Sequence, residues 1–176
     1  QVYNSKWSRQ FRESNYSPEF FARKVLEDPK NIIGGKLIAY DVGFMHQSNG
    51  QIQELTRSWN RVFLRFSLAY GNTFIKTSLW YRVPEGSKKD ENSDIYKYLG
   101  YGEINIDQVW LKNRLQLKII PGTKHQGVEV AYSYPLNEGL RYFVKAGYGY
   151  GLSLIDYKNE SKVIGLGVTL ADLLSQ

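Results

Sequence analysis

Apolar and polar positions alternate with a period of two along most of this chain, the signature of strands with unlike faces. Leu111, Leu115, Leu117 and Ile119, with Asn113 in the same row, alternate against Lys112, Arg114, Gln116 and Lys118. Tyr142, Val144, Ala146, Tyr148 and Tyr150 oppose Arg141, Lys145 and several glycines; Ile164, Leu166, Val168 and Leu170 oppose Gly165, Gly167 and Thr169. The pattern predicts strands over Phe20–Leu26, over both arms of a long hairpin from Tyr40 to Tyr70, and over Phe74–Val83, Ile95–Ile106, Leu111–Ile120, Gly127–Leu136, Arg141–Gly151 and Lys162–Leu173. It also predicts a strand end at Gln1–Trp7, a polar loop at Ser8–Ser17, a loop or turn at Glu27–Asn31 and a long charged loop at Pro84–Asp94. The sum is about nine full strands and an N-terminal fragment.

The hairpin fixes its own register. If His46 faces Asn60, then Phe44 faces Val62, Val42 faces Leu64, Tyr40 faces Phe66 and Ile38 faces Leu68, so one face is apolar throughout. The other face sets Asp41 against Arg65, Ala39 against Ser67 and Met45 against Arg61, joining an acid to a base in the same alignment. Asp41 and Arg65 are expected to point inward and to be structural.

Composition narrows what such strands can build. Of 176 residues, 42% are apolar and 15% aromatic, with a mean hydropathy of −0.44, and no apolar run approaches the roughly 20 residues of a membrane helix. An up-and-down transmembrane barrel accommodates both facts, because lipid-facing and lumen-facing residues alternate and average out. The 14 Tyr and 4 Trp suit aromatic girdles, although a soluble barrel or sandwich is also rich in Tyr. The net charge of +6 is scattered along strands and loops rather than gathered in a patch, so it points to lumen and rim charges and not to nucleic acid. No cysteine is present to staple the fold. No charged n-region and apolar h-region open the chain at Gln1, and an exported barrel needs them, so residues 1–176 are read as a single, N-terminally incomplete barrel domain.

Chemistry gathers at one end of the hairpin's apolar face. His46 and Ser48 are two residues apart on a strand, which puts them on one side with Cα atoms roughly 6.5–7 Å apart. Asn60, across the ladder from His46, could hold the ring while its other nitrogen addresses Ser48, the arrangement of nucleophile, base and orienter. His125 lies in a turn signal, Gly122-Thr123-Lys124-His125-Gln126, and is expected to be solvated, which leaves His46 as the base. Backbone N–H groups at Ser48 and Gly50 are candidate oxyanion donors, since Gly50 can take positive φ; a plain loop start fits the same residues equally well.

His46-Gln47-Ser48-Asn49-Gly50 followed by Ser58-Trp59-Asn60-Arg61 resembles the outer-membrane phospholipase A family of Gram-negative bacteria. Phe11-Arg12-Glu13-Ser14-Asn15-Tyr16-Ser17-Pro18, Lys97-Tyr98-Leu99-Gly100-Tyr101 and the stretch from Tyr148 to Tyr157 resemble it too, so the likeness covers nearly the whole chain from about Tyr3. It implies a twelve-stranded barrel in the bacterial outer membrane, of which the first two to three strands are absent here. It implies calcium-dependent serine hydrolysis of acyl esters of phospholipids and lysophospholipids, switched on when a homodimer forms. The calcium ligands implied are a backbone carbonyl at Gln51 and the hydroxyl of Thr56, where family members carry Arg and Ser. A partner-subunit serine just before Phe-Arg-Glu has Ser8 as its nearest hydroxyl here, with Arg9 and Gln10 intervening. No acidic cluster of the calcium-loop kind occurs, so the residues alone do not propose the metal. The chain ends Leu174-Ser175-Gln176, whereas many such barrels end on an aromatic residue. A non-catalytic barrel, pore or structural, and a soluble lipid-binding barrel are the competing readings.

Overall fold

The structure is a computed structural model that describes residues 13–86 and 90–170. Nine strands follow one another around a single sheet, each antiparallel to the next: β1 (Glu19–Ile32), β2 (Gly35–Ser48), β3 (Ser58–Tyr70), β4 (Thr73–Val83), β5 (Gly102–Trp110), β6 (Asn113–Pro121), β7 (Gln126–Pro135), β8 (Leu140–Gly149) and β9 (Ser161–Leu170). Each strand therefore pairs with its neighbour in sequence, the up-and-down order that the alternating pattern predicts. The two ends of the sheet differ. At one end, two-residue connections join β1 to β2, β3 to β4 and β5 to β6, and a four-residue connection joins β7 to β8. At the other, residues 49–57 and 150–160 form long loops, residues 122–125 join β6 to β7, and the short helix α1 (Tyr96–Leu99) sits between β4 and β5. Short turns at one end and long loops at the other are the usual asymmetry of an outer-membrane barrel.

The outward face is apolar from strand to strand. Val42 and Phe44 of β2, Val62 and Leu64 of β3, Leu79 of β4, Val128 and Val130 of β7, Val144 of β8 and Ile164 and Leu166 of β9 are all exposed. So wide a patch far exceeds what a soluble monomer presents to water, and hydrocarbon is the solvent that suits it. No helix of the described residues is long and apolar enough to cross a membrane. The inward face carries the charges. Asp41, at 2% exposure, accepts from Arg23 Nε and Nη2 at 2.7 and 2.9 Å, and Arg65 Nη2 reaches Glu19 Oε2 at 3.0 Å. Further along the wall Arg114 pairs with Asp107, Lys118 with Glu103 and Lys145 with Glu129.

The loop end is closed over by packing. Trp59, Ile95, Leu154 and Tyr157 form a buried cluster against which Trp80, Tyr98 and Leu99 pack. Arg61 lies over the Trp59 ring at 3.7 Å and the Trp80 ring at 4.9 Å, a cation held by π faces. Tyr157 donates to Asp94 Oδ1 at 2.6 Å; burial, and then the Asp94 carboxylate, hold the phenol pKa well above its ordinary value. The Ile155 N–H donates to Glu13 Oε2 at 2.9 Å, tying the loop after β8 to the segment that leads into β1.

The hairpin register is as expected from His46↔Asn60 to Ala39↔Ser67, with Asp41 opposite Arg65. Several expectations need correction. Leu68 faces Leu37 and not Ile38, because a register shift lies between Leu37 and Ala39. Asp41 takes its close bonds from Arg23, and Arg65 approaches it only at 3.4 Å. Residues 27–31 belong to β1 instead of forming a loop; a register shift spans Val25 to Lys30, and pairing with β2 resumes at Lys30. The strand expected from Ile95 begins at Gly102, since residues 96–99 wind into α1. His125 is half-buried, stacked on Tyr98 at 4.8 Å and tilted against Tyr150 at 4.5 Å, not free in solvent. The expected strand end at Gln1–Trp7 and the residues beyond Leu170 lie outside the described residues.

Candidate active site

Strand pairing builds the site at the loop end of the outward face. In the β2–β3 ladder His46 faces Asn60 and Ser48 faces Ser58, so His46 and Ser48 share the outward face by the period of two. His46 Nδ1 and Asn60 Oδ1 lie 2.9 Å apart. An amide oxygen only accepts, so Nδ1 carries the ring proton in this contact and Nε2 keeps its lone pair. Among the described residues no hydrogen bond joins the Ser48 hydroxyl to that ring. Behind Asn60, the Nδ2 group donates to Glu85 Oε1 at 3.0 Å.

Glu85 was not foreseen, because it opens a stretch read only as a charged loop. Its position was nonetheless available: Val83 pairs with Asn60 across β3 and β4, and a residue two beyond Val83 stays on the same side if the chain continues extended. Tyr16 is the second residue not foreseen. It bridges Ser48 on the side away from β3, with the Tyr16 N–H donating to Ser48 O at 2.8 Å and the Ser48 N–H to Tyr16 O at 2.9 Å. The Ser48 N–H, expected to serve an oxyanion, is thus spent on the ladder, which corrects that assignment. Gly50 does take positive φ, +61°, and a Cβ there would meet the Tyr16 ring at 2.8 Å. No hydrogen bond among the described residues uses the Gly50 N–H.

The loop after Ser48 is organised by one buried amide. Asn49 is fully buried, accepts at Oδ1 from the Arg57 N–H at 2.9 Å and the Gln51 N–H at 3.3 Å, and donates from Nδ2 to Leu55 O at 2.8 Å. Around it the chain turns through Gln53–Leu55 and returns so that Thr56 Oγ1 donates to Gln51 O at 2.9 Å. The two oxygens named as cation ligands are therefore adjacent. A carbonyl and a hydroxyl are hard, neutral donors of the kind calcium accepts at about 2.3–2.6 Å, so the pair fits one edge of such a site. They do not complete it, since calcium takes about six to eight oxygens and, among the described residues, no group of three His, Cys, Asp or Glu converges anywhere. Ser8 lies outside the described residues.

Comparison with known proteins bears on the family and the fold. The phospholipase A1 family model matches residues 1–170. Phospholipase A1 of Escherichia coli K12 is 35% identical over 175 residues, which cover 98% of this chain and 59% of the relative. A Salmonella typhi outer-membrane phospholipase, solved as a dimer with bound calcium, superposes with a TM-score of 0.87 at 35% identity, over 96% of this chain and 65% of that one. An active-site variant of E. coli outer-membrane phospholipase A with asparagine replaced by alanine superposes with a TM-score of 0.86 at 33% identity, over 96% and 65%. The chain thus spans between half and two thirds of the length of these relatives. With the nine-stranded wall, the outward apolar face and a matched stretch of 170 residues, the chain belongs to the phospholipase A1 family.

Proposed function

We propose that the protein is an outer-membrane phospholipase in which Ser48 is the nucleophile, His46 the general base and Asn60 the residue that orients His46. The observation that carries this reading is the His46 Nδ1···Asn60 Oδ1 contact of 2.9 Å, on the same lipid-facing side as Ser48. The oriented tautomer leaves Nε2 able to take the Ser48 proton as Oγ attacks the ester carbonyl of a phospholipid or lysophospholipid. The imidazolium then returns the proton to the leaving alkoxide, and water, activated by the same nitrogen, releases the fatty acid from Ser48. The Gly50 N–H, unspent in the loop, is the candidate oxyanion donor of this chain.

The same reading places calcium at Gln51 O and Thr56 Oγ1, with Ser8 the candidate hydroxyl from a second subunit. When bound, the ion would polarise the ester carbonyl beside Ser48 and spread the charge of the oxyanion. The Salmonella typhi relative, a dimer with bound calcium, supports both the metal and a homodimer as the active form. Two copies meeting through the outward faces of β2 and β3 would enclose acyl chains between them and supply the ligands that Gln51 and Thr56 lack.

The test is phospholipid hydrolysis by the full protein in detergent, with calcium and with chelator, for the parent and Ser48→Ala. Activity that disappears with chelator and falls at least about a thousandfold in Ser48→Ala is the expected result. A folded Ser48→Ala protein with parental turnover would return the chain to the non-catalytic barrels.

A further inference from the structure

Resting on the triad just proposed, we propose that Glu85 is a positioning residue that fixes which way the Asn60 amide faces and, through it, which nitrogen of His46 is free. Asparagine is an ambiguous orienter. Its two ends are nearly the same size, and only one arrangement is productive: with Oδ1 toward the ring, Nδ1 keeps the proton and Nε2 is bare. With the amide turned over, the NH2 would donate to Nδ1, the proton would sit on Nε2, and the base would have nothing with which to receive the serine proton. An aspartate in this position has no such ambiguity, because both its ends accept.

Glu85 removes the ambiguity. An ionised carboxylate accepts and cannot donate, so a bond from Asn60 to Glu85 Oε1 at 3.0 Å requires the NH2 end to face Glu85. The oxygen is then left for His46 Nδ1 at 2.9 Å. The row runs in one direction across three strands or their extensions: His46 on β2, Asn60 on β3, and Glu85 two residues past Val83, the β4 partner of Asn60. The carboxylate also supplies the negative charge that an amide orienter lacks. It sits one residue further back than the acid of a Ser-His-Asp triad, and it favours the imidazolium through the polarised amide.

The experiment uses the full protein with calcium in detergent and a complete set of variants: Ser48→Ala, Asn60→Ala, Glu85→Ala, Glu85→Gln and the double variant Asn60→Ala/Glu85→Ala. Folding of each is checked by circular dichroism. Glu85→Ala is expected to lower kcat about tenfold with KM unchanged. Glu85→Gln, whose amide oxygen still accepts, should fall between it and the parent. Glu85→Ala should have no further effect once Asn60 is alanine, and in ¹⁵N spectra of the histidine rings it should move His46 from the Nδ1–H form toward a mixture of tautomers. If Ser48→Ala is inactive but Glu85→Ala is parental, or its effect multiplies in full with that of Asn60→Ala, the role of Glu85 is overturned and the triad stands. Should Ser48→Ala remain active, or the parent show no hydrolysis, the triad fails and the role of Glu85 with it. If Glu85→Ala does not fold, Glu85→Gln and its tautomer spectrum decide alone, an unchanged kcat and spectrum counting against the proposal.

Discussion

Two polar rows cross β2 and β3 at different heights and on opposite faces, and they end differently. On the inward face Arg23, Asp41, Arg65 and Glu19 satisfy one another, each charge facing its opposite. The outward row, from Glu85 through Asn60 to His46, satisfies each member in turn and then stops at the second ring nitrogen of His46, two residues along the strand from Ser48. A closed row stabilises the wall; an open one has an unused valence at its end. In the mechanism proposed above, that difference separates structural polarity from reactive polarity more clearly than burial does, since both rows are partly buried.

The comparison can be broken by cutting each row at its middle. Asn60→Ala is expected to lower kcat about a hundredfold while shifting unfolding by less than about 1 kcal/mol. Asp41→Ala removes the carboxylate to which Arg23 donates and leaves Arg65 with Glu19 alone, and should cost about 2 kcal/mol in unfolding free energy, with kcat of the folded fraction kept. Urea unfolding of the barrel in lipid vesicles, run beside turnover, separates the two. Equal losses of activity from both variants would erase the distinction.

A smaller effect is expected at the buried amide that shapes the loop of the proposed calcium site. Asn49→Ala removes three side-chain hydrogen bonds, and Thr56 should no longer be held against Gln51. Calcium affinity, measured by calorimetric titration, should fall about tenfold for a loss of roughly 1.4 kcal/mol. The smallest effect lies in the loop after β4, where Arg82 Nη1 and Nη2 bond Asp90 at 2.9 and 2.5 Å. The Arg82 hydrogen bond holds the Asp90 pKa below the ordinary carboxylate value. A depressed folded pKa means that the pair stabilises the loop above the unfolded value of about 3.9 and is lost as pH falls through the lower, folded value. The contribution of this pair to thermal unfolding should therefore be full and independent of pH from about 5 to 8. The decline of the unfolding temperature below pH 4 should be shallower in Asp90→Asn than in the parent.

Much of this wall was legible because a period of two leaves few choices. Once Asp41 meets Arg65 and the apolar row is kept on one side, His46 must meet Asn60. What could not be read were departures from that period. The shift between Leu37 and Ala39 displaces the partner of Leu68 by one, and nothing in the residue types there announces it. Charges and Pro29 made residues 27–31 look like a loop, yet they belong to β1, where a second register shift lies. Residues 95–99 look like the start of a strand, yet Tyr96–Leu99 wind into a helix, with Ile95 just before it buried in the loop-end cluster. In the site, the pairing of His46 with Asn60 followed from register. Glu85 and Tyr16 did not, because both enter from segments outside the regular ladder, where spacing no longer dictates which way a side chain turns.

The Tyr16 bridge has a dynamic consequence. Ser48 is paired to Ser58 on one side and Tyr16 on the other, so its peptide units behave as those of an interior strand, and its amide should exchange with solvent slowly. The ring of His46 is anchored in turn through Asn60. With backbone and base both immobilised, the soft coordinate left between them is the χ1 torsion of Ser48. That rotor has three staggered wells and crosses among them in picoseconds to nanoseconds, far faster than any turnover. In the mechanism proposed above, the serine hydroxyl would therefore turn toward the His46 ring by a side-chain rotation while the backbone on either side of it stays paired.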